Sequence, residues 1–318
     1  MRTIYLDQNQ WIALARAIKY PKERPELEEL PDRIISELNS NRIIIPITFT
    51  NIYETQKINS PIRRRDIALV QSIFSRGLVF RGRQQRNEME LKNAILKLSR
   101  QPPQFLENDW FISKIFFESV GESDSIMKEA GISKQLFSLV QSNPAQLLFD
   151  YLVNIPNDSR IEAVRRFSIA SEKLRTIHEE RRTKTQSETP AMRRRIYGAL
   201  LMMDNAELIL NISNEIGVAW KQISDIGDSN VRRLIDEVPN LHIERELAIK
   251  LEAQQRSLSE NDFRDMQSFC AVMPYADLVI AENQFISLAR QAKLDQKYGT
   301  RLETKLSSFT KVLDEWGP

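Results

Sequence analysis

The sequence predicts an α/β fold, a parallel β-sheet flanked by helices, carrying a large all-helical insertion. Three observations support this: a β-branched and aromatic run at residues 3–6, a continuous apolar run at 42–47, and a third apolar run at 278–281, each followed by helical spacing. Strand and helix alternating in this way give a parallel sheet covered on both faces.

The elements follow in order. Thr3-Ile4-Tyr5-Leu6 stops at Asp7, and Trp11, Ile12, Leu14, Ala15 and Ile18 then recur at helical spacing, so the opening reads as strand, carboxylate, helix. Pro31 suits a helical first turn, and Ile34, Ile35 and Leu38 form the stripe of a helix ending near Asn39-Ser40-Asn41. Arg42-Ile43-Ile44-Ile45-Pro46-Ile47 reads as a buried strand, after which Thr48 or Thr50 can cap a helix bearing Tyr53 and Glu54. From about Gln84 to about Asn240 the pattern changes to long amphipathic helices, at 87–98, 111–120 and 196–216 among others. The expected division is a discontinuous α/β domain at 1–83 and 241–318, with the helical insertion at 84–240. Inside the insertion, residues 181–190 are polar with no apolar anchor and predict a mobile loop. A helix is expected over 241–256, and another begins at Ser259, whose Ser-x-x-Asp spacing to Asp262 is a capping pattern, with Asp265 one turn further on. Tyr275-Ala276-Asp277 then leads into the strand Leu278–Ala281, which ends at Glu282. A helix at 285–292, a last strand near 300–302 and a closing helix at 304–313 complete the chain.

Composition narrows the chemistry. With 42% apolar and 28% charged residues in 318, and no apolar tract long enough to cross a bilayer, a soluble protein without a membrane partner is expected. Asp7 falls where a secretory signal would still be apolar, which points to the cytoplasm. The single cysteine, Cys270, excludes a disulfide framework, and with His178 and His242 as the two histidines a zinc centre is disfavoured. Any bound metal is therefore expected on oxygen ligands. Basic and acidic residues nearly balance, 45 against 43, so no global excess marks a chromatin-type binder. Local basic clusters at Arg63–Arg65, Arg81–Arg86, Arg181-Arg182 and Arg193–Arg195 fit solvated helix faces and phosphate contacts equally well.

In open parallel sheets the ligand site lies beyond the carboxyl ends of the strands. Asp7 and Glu282 each follow a strand, Glu54 lies a turn into the helix after the second one, and Asp265 opens the helix before the strand that ends at Glu282. If those strands are neighbours, four acids meet. Clustered carboxylates raise one another's pKa and cost stability unless a cation neutralises them, which points to Mg²⁺ or Mn²⁺. Asp262 and Asp277 are further acids near the same segments. Taken singly, each acid also has a structural explanation: Asp7 as a helix cap, Glu54 as an exposed helical glutamate, Asp265 as an N-terminal dipole partner, Glu282 as a strand-end surface residue.

These segments resemble the PIN-like family of metal-dependent nucleases. Leu6-Asp7-Gln8-Asn9 is similar to the family's opening Asp-x-Asn, and Pro46 to Glu54 to its second strand and Glu-bearing helix. Asp265-Met266-Gln267-Ser268 resembles its third acidic helix start, and Leu278-Val279-Ile280-Ala281-Glu282 its closing strand-then-acid segment, where the family usually has Asp. The matches cover about 1–60 and 258–303 and leave the middle of the chain without a counterpart. The resemblance implies a PIN-like endonuclease, usually an endoribonuclease, in which Asp7, Glu54, Asp265 and Glu282, with Asp277 as a further ligand, hold one or two Mg²⁺ or Mn²⁺ ions. Catalysis then uses a metal-activated water, and Asn9 orients a water or phosphate oxygen. The implied partner is nucleic acid, RNA ahead of DNA, with a role as a toxin or antiviral effector one expectation. The insertion would serve substrate selection, a homo-oligomer contact or a regulatory protein. A different reading is a binding or scaffold protein on the same fold with a degraded site. His178 and His242 are read as surface or core residues, Cys270 as a small core residue, and the four tryptophans as core or interface residues.

Overall fold

The computed structural model describes residues 1–104, 106–120, 138–139 and 141–317; the stretch of the expected helical insertion at 121–137 lies outside the described residues. Its strands are β1 (Arg2–Leu6), β2 (Ile43–Ile44), β3 (Val79–Phe80), β4 (Ile112–Ser113), β5 (Leu278–Ile280) and β6 (Arg301–Glu303). The central sheet has four parallel strands in the order β2-β1-β5-β6, and β3 pairs with β4 antiparallel. Ile47 bridges in parallel to Val79, so the 42–47 run touches β1 at one end and β3 at the other. Pro46, which has no N–H to give a ladder, stands in the break.

Helices α1 (Gln8–Lys19), α2 (Leu30–Asn39), α3 (Phe49–Lys57), α4 (Pro61–Ser75) and α5 (Arg83–Leu98) follow the first strands. After them come α6 (Pro144–Asn154), α7 (Asn157–Thr185), α8 (Pro190–Asp204), α9 (Ala206–Glu215), α10 (Asp228–Glu237) and α11 (Pro239–Glu252). The last are α12 (Glu260–Val272), α13 (Asn283–Gln291), α14 (Leu294–Tyr298) and α15 (Ser308–Trp316). The protein is thus mixed α/β and mostly helical around a small parallel sheet. No helix of the described residues is long and apolar enough to cross a membrane.

Alternation along the strands explains why their sequences are apolar throughout. Ile4, Leu6, Leu278 and Ile280 face a core completed by Trp11, Leu14, Ile34 and Phe309. Tyr5 and Val279 face the other side, against Phe263, Phe269 and Phe285. A third apolar cluster, including Leu91, Ile95, Leu201, Ile209 and Leu234, joins α5 to the helices from α8 to α11.

The middle of the chain packs directly on the sheet-flanking helices: α6 on α4, α7 on α3 and α12, and α8 on α11. Four expectations are corrected here. Residues 111–120 form β4 and a 3-10 turn at Phe116–Ser119 rather than a helix, because Phe111 stacks on Phe80 and Tyr275 and draws Ile112 into pairing with β3. The 196–216 helix divides at Asn205, whose amide donates to the Leu201 carbonyl and so competes with the backbone ladder. The 181–190 segment is helical through Thr185 rather than a loop, because Arg182 donates to the carbonyls of Gln254 and Arg256, and Arg193 to those of Thr185 and Gln186. Polarity there reflects guanidinium anchoring. The closing helix begins at Ser308, four residues later than the sequence suggests, since residues 301–303 pair as β6 and the chain must turn before it can coil.

Candidate active site

Register brings the acids together. Leu6 pairs with Ile280, and the Asp7 N–H donates to the Ile280 carbonyl at 3.0 Å, so the next residue of each strand leaves the same edge of the sheet. Asp7 caps α1, its Oδ1 accepting from the Gln10 N–H at 3.0 Å, while its Oδ2 accepts from the Glu282 N–H at 2.7 Å. Each oxygen keeps a second lone pair for another partner. Glu282 opens α13, and its carboxylate accepts from the Asn9 amide. The Thr48–Asn51 capping box starts α3 beside the end of β1 and sets Glu54 a turn and a half inside it. The Ser259–Asp262 box does the same for α12 and Asp265.

Asp7, Glu54, Asp265 and Glu282 line one cleft of about 310 Å³, together with Asn9, Asn261 and Gln284. Burial is the main reason Asp265 is pushed up to about 8, reinforced by the charges of Glu54, Asp7 and Glu282. Burial likewise pushes Asp7 up to about 7, opposed by its hydrogen bond from Gln10 and reinforced by Glu282 and Glu54. Glu54 is also raised by burial, although the Arg264 and Lys57 charges work against it. Arg264 Nε lies 3.5 Å from Glu54 and makes no hydrogen bond among the described residues; that guanidinium is otherwise committed to Glu260 and Asn261. Among the described residues the Asp265 carboxylate has no hydrogen bond and no ion pair.

The other acids do different work. Asp262 is 3% exposed, ion-pairs with Arg256 and accepts from Ser259 and Gln284. Burial would raise it, but those partners together hold it below the usual carboxylate range. Asp262→Ala is therefore expected to cost about 1 kcal/mol or somewhat more, the ordinary loss of a helix cap, read as a lower urea midpoint. Asp277 does not join the site. It precedes β5, where Thr3 N–H and Arg2 hold its carboxylate, roughly 13 Å along the strand direction from Asp7 at 3.3 Å per residue. An acid before a parallel strand lies at the edge opposite an acid after one. His178 lies 2.8 Å from Glu252 in the core, His242 is lowered to about 4 by burial beside Tyr298, and Cys270 is buried with its thiol raised by burial. None of the three lines the cleft.

The cleft also holds residues that sequence reasoning missed. Arg256 and Gln284 line it, and Arg264 closes one side of Glu54. Gln284 stands two residues after Glu282 and Arg264 next to Asp265, so proximity to the named acids was the available signal; for Arg256 no spacing marks it.

The donor set suits a hard divalent ion, since it consists of carboxylates and amide oxygens with no thiolate or imidazole. Among the described residues no three such side chains stand at the spacing of a ready-made metal centre. Mg²⁺ commonly keeps several of its waters and takes one or two protein carboxylates, which a cleft of this volume can accommodate. Compared with family models, curated proteins and solved structures, the chain matches none.

Proposed function

We propose that the protein is a metal-dependent endonuclease of PIN-like type acting on RNA. The observation that carries this reading is the convergence of Asp7, Glu54, Asp265 and Glu282 from four separate elements onto one cleft at the carboxyl edge of the sheet. Mg²⁺ or Mn²⁺ would be held by Asp7, Asp265 and Glu54, with Glu282 nearest the opening; such an ion acidifies water and neutralises charge on a phosphodiester. The chain supplies the positioning. The Glu282 N–H and the Gln10 N–H fix the Asp7 carboxylate, Asn9 orients Glu282, and Arg264 screens Glu54 without pairing tightly to it. Asp265, which accepts no hydrogen bond among the described residues and is raised to about 8, would hold a proton in the free protein and release it to water on binding a cation.

The test is digestion of labelled RNA and of labelled single-stranded DNA side by side, with Mg²⁺, with Mn²⁺ and with EDTA. Cleavage of RNA that stops in EDTA supports the reading; cleavage that continues in an Asp7→Asn plus Asp265→Asn protein removes it, and a preference for DNA changes the substrate. Two observations favour a second reading, a binding protein with a degraded site: Glu282 is exposed and spends its carboxylate on Asn9, and among the described residues no three acids stand at ligand spacing. Calorimetry with Mn²⁺ separates the two, because a degraded site gives no saturable heat.

A further inference from the structure

On the same edge of the sheet as the acid cleft lies a larger cavity of about 750 Å³. Thr48 and Thr50, just past the 42–47 run, and Arg81 and Gly82, just past β3, line it. It therefore lies beyond the carboxyl ends of those two strands, as the acid cleft lies beyond β1 and β5. The two cavities share α3 and α12. Thr50 and Glu54 are about one turn apart on α3, as are Ser268 and Asp265 on α12, a step of ~5 Å along each axis.

Their chemistry is opposite. The acid cleft sets five carboxylates against Arg256. The larger cavity sets Arg81, Arg83, Arg86 and Arg166 against Glu162. Each of these guanidinium groups is held in place: Arg81 by Glu118, Arg83 by Glu244 at 2.7 Å, Arg86 by the Cys270 carbonyl at 2.8 Å, and Arg166 by Glu162 at 2.7 Å. A guanidinium has five N–H groups, so each retains donors beyond these contacts. Phe49 and Phe167 meet edge to face at 5.1 Å on the wall and are half-buried.

The most telling residue is Asn240. It is 0% exposed, its N–H is tied to Glu90 at 2.7 Å, and yet among the described residues neither its side-chain Oδ1 nor its Nδ2 has a hydrogen-bond partner. A buried amide left unpaired costs stability and calls for an explanation. Asn240 lines the cavity with its amide closed to water, so a ligand there satisfies it once the side chain turns toward the cavity.

We infer that this cavity is a nucleotide subsite, taking one nucleotide unit of the RNA beside the point of cleavage. A bare anion would use the arginines and leave the amide unpaired; an apolar ligand would use the phenylalanines and bury the arginines against nothing. A nucleotide uses all three. Its phosphate faces the guanidinium groups, its ring lies against Phe49 and Phe167, and the donor and acceptor of Asn240 match the paired donor and acceptor of a base edge. The assignment to RNA rests on the nuclease reading, but occupancy can be measured without catalysis.

The experiment is calorimetric titration of the full chain in EDTA with each of the four nucleoside 5′-monophosphates and with inorganic phosphate. Saturable binding of a nucleotide at least tenfold tighter than phosphate is expected. Asn240→Leu should weaken it tenfold or more while leaving the melting temperature unchanged or higher, because no hydrogen bond is lost. Arg166→Gln should weaken it and flatten its salt dependence. A short RNA should displace the nucleotide; simultaneous binding of both overturns the substrate assignment. No saturable nucleotide binding, or an Asn240→Leu protein that binds as the parent does, overturns the subsite. RNA cleavage without nucleotide binding would remove this inference alone, whereas nucleotide binding by a protein that cuts no RNA would remove the nuclease reading and keep the cavity.

Discussion

Asp265→Asn is expected to lower Mg²⁺-dependent RNA cleavage by roughly 10³-fold or more while leaving the protein folded. On the proposed nuclease reading, the magnitude follows from removing one carboxylate where several kcal/mol of charge stabilisation would be concentrated, at about 1.4 kcal/mol per factor of ten. The selectivity follows from the structure. Asn keeps the size and shape of Asp, and no hydrogen bond or ion pair is broken, because the Asp265 carboxylate makes none among the described residues. The burial and the neighbouring charges that push this group up to about 8 also make its ionised form a burden on the empty fold, so the neutral variant should resist urea at least as well as the parent. A purely structural Asp265 predicts the reverse pattern, intact cleavage and altered stability. Asp262 supplies the internal control: three residues earlier on the same helix, it caps Ser259 and pairs with Arg256, so Asp262→Ala should lose stability first. Rates on labelled RNA and urea midpoints for the two variants are the measurements. Cleavage at the parental rate by Asp265→Asn would leave the metal-site reading without support.

Much of this site was legible because its residues punctuate simple patterns. Asp7 and Glu282 stand where short apolar strands stop, and the parallel pairing of β1 with β5 carries both to one edge. Ser259 and Asp262 announced the start of α12, and the pair of candidate caps Thr48 and Thr50 bracketed the start of α3, of which the fold uses Thr48, through capping chemistry that is local in sequence. What failed was information that only the fold supplies. Asp277 looked close to Glu282 along the chain, but a strand lies between them and separates the two edges. Arg256 reaches the cleft through its pairing with Asp262, which no periodicity encodes. The helical character of the middle segment was legible from spacing, whereas the docking of α7 on α3 and α12, which brings Phe167 and Arg166 beside the site, depends on contacts between distant elements. The 111–120 run shows the limit of periodicity itself, since short apolar stretches read equally well as helix or strand until Phe80 and Tyr275 select one.

The second large effect is a coupling between pH, metal and stability. Asp7 and Asp265 titrate near 3.8 when the chain is unfolded and are pushed up to about 7 and about 8 in the fold. Between those limits the folded protein holds protons that the unfolded chain has released, so these two groups lower the stability of the metal-free protein as pH rises from about 4 to about 8, against the smaller opposite contribution of His242, which is lowered to about 4 and adds stability only up to its ordinary value of 6.5. The two groups sense each other's charge, so the protons leave the cluster in steps that belong to the pair. A divalent cation reverses the sign by favouring the ionised form. At pH 8 and a hundredfold excess over its dissociation constant it contributes about 2.7 kcal/mol. For a chain of this size that is a rise of roughly 5 °C in melting temperature. At pH 5.5 the same ion has to displace protons from both carboxyls, and its effect should nearly vanish. The Asp262–Arg256 pair has the opposite sign, but its contribution is lost only as pH falls through a value below the ordinary carboxylate range, outside this window. Melting curves at pH 5.5 and pH 8, each in EDTA and in Mn²⁺, therefore have a fixed expected order. Lowest is the metal-free protein at pH 8, and Mn²⁺ should close most of its gap to the protein at pH 5.5. A metal-free protein that grows more stable toward pH 8, or a Mn²⁺ shift of equal size at both pH values, would mean that these carboxylates neither share their charge nor take up a cation together.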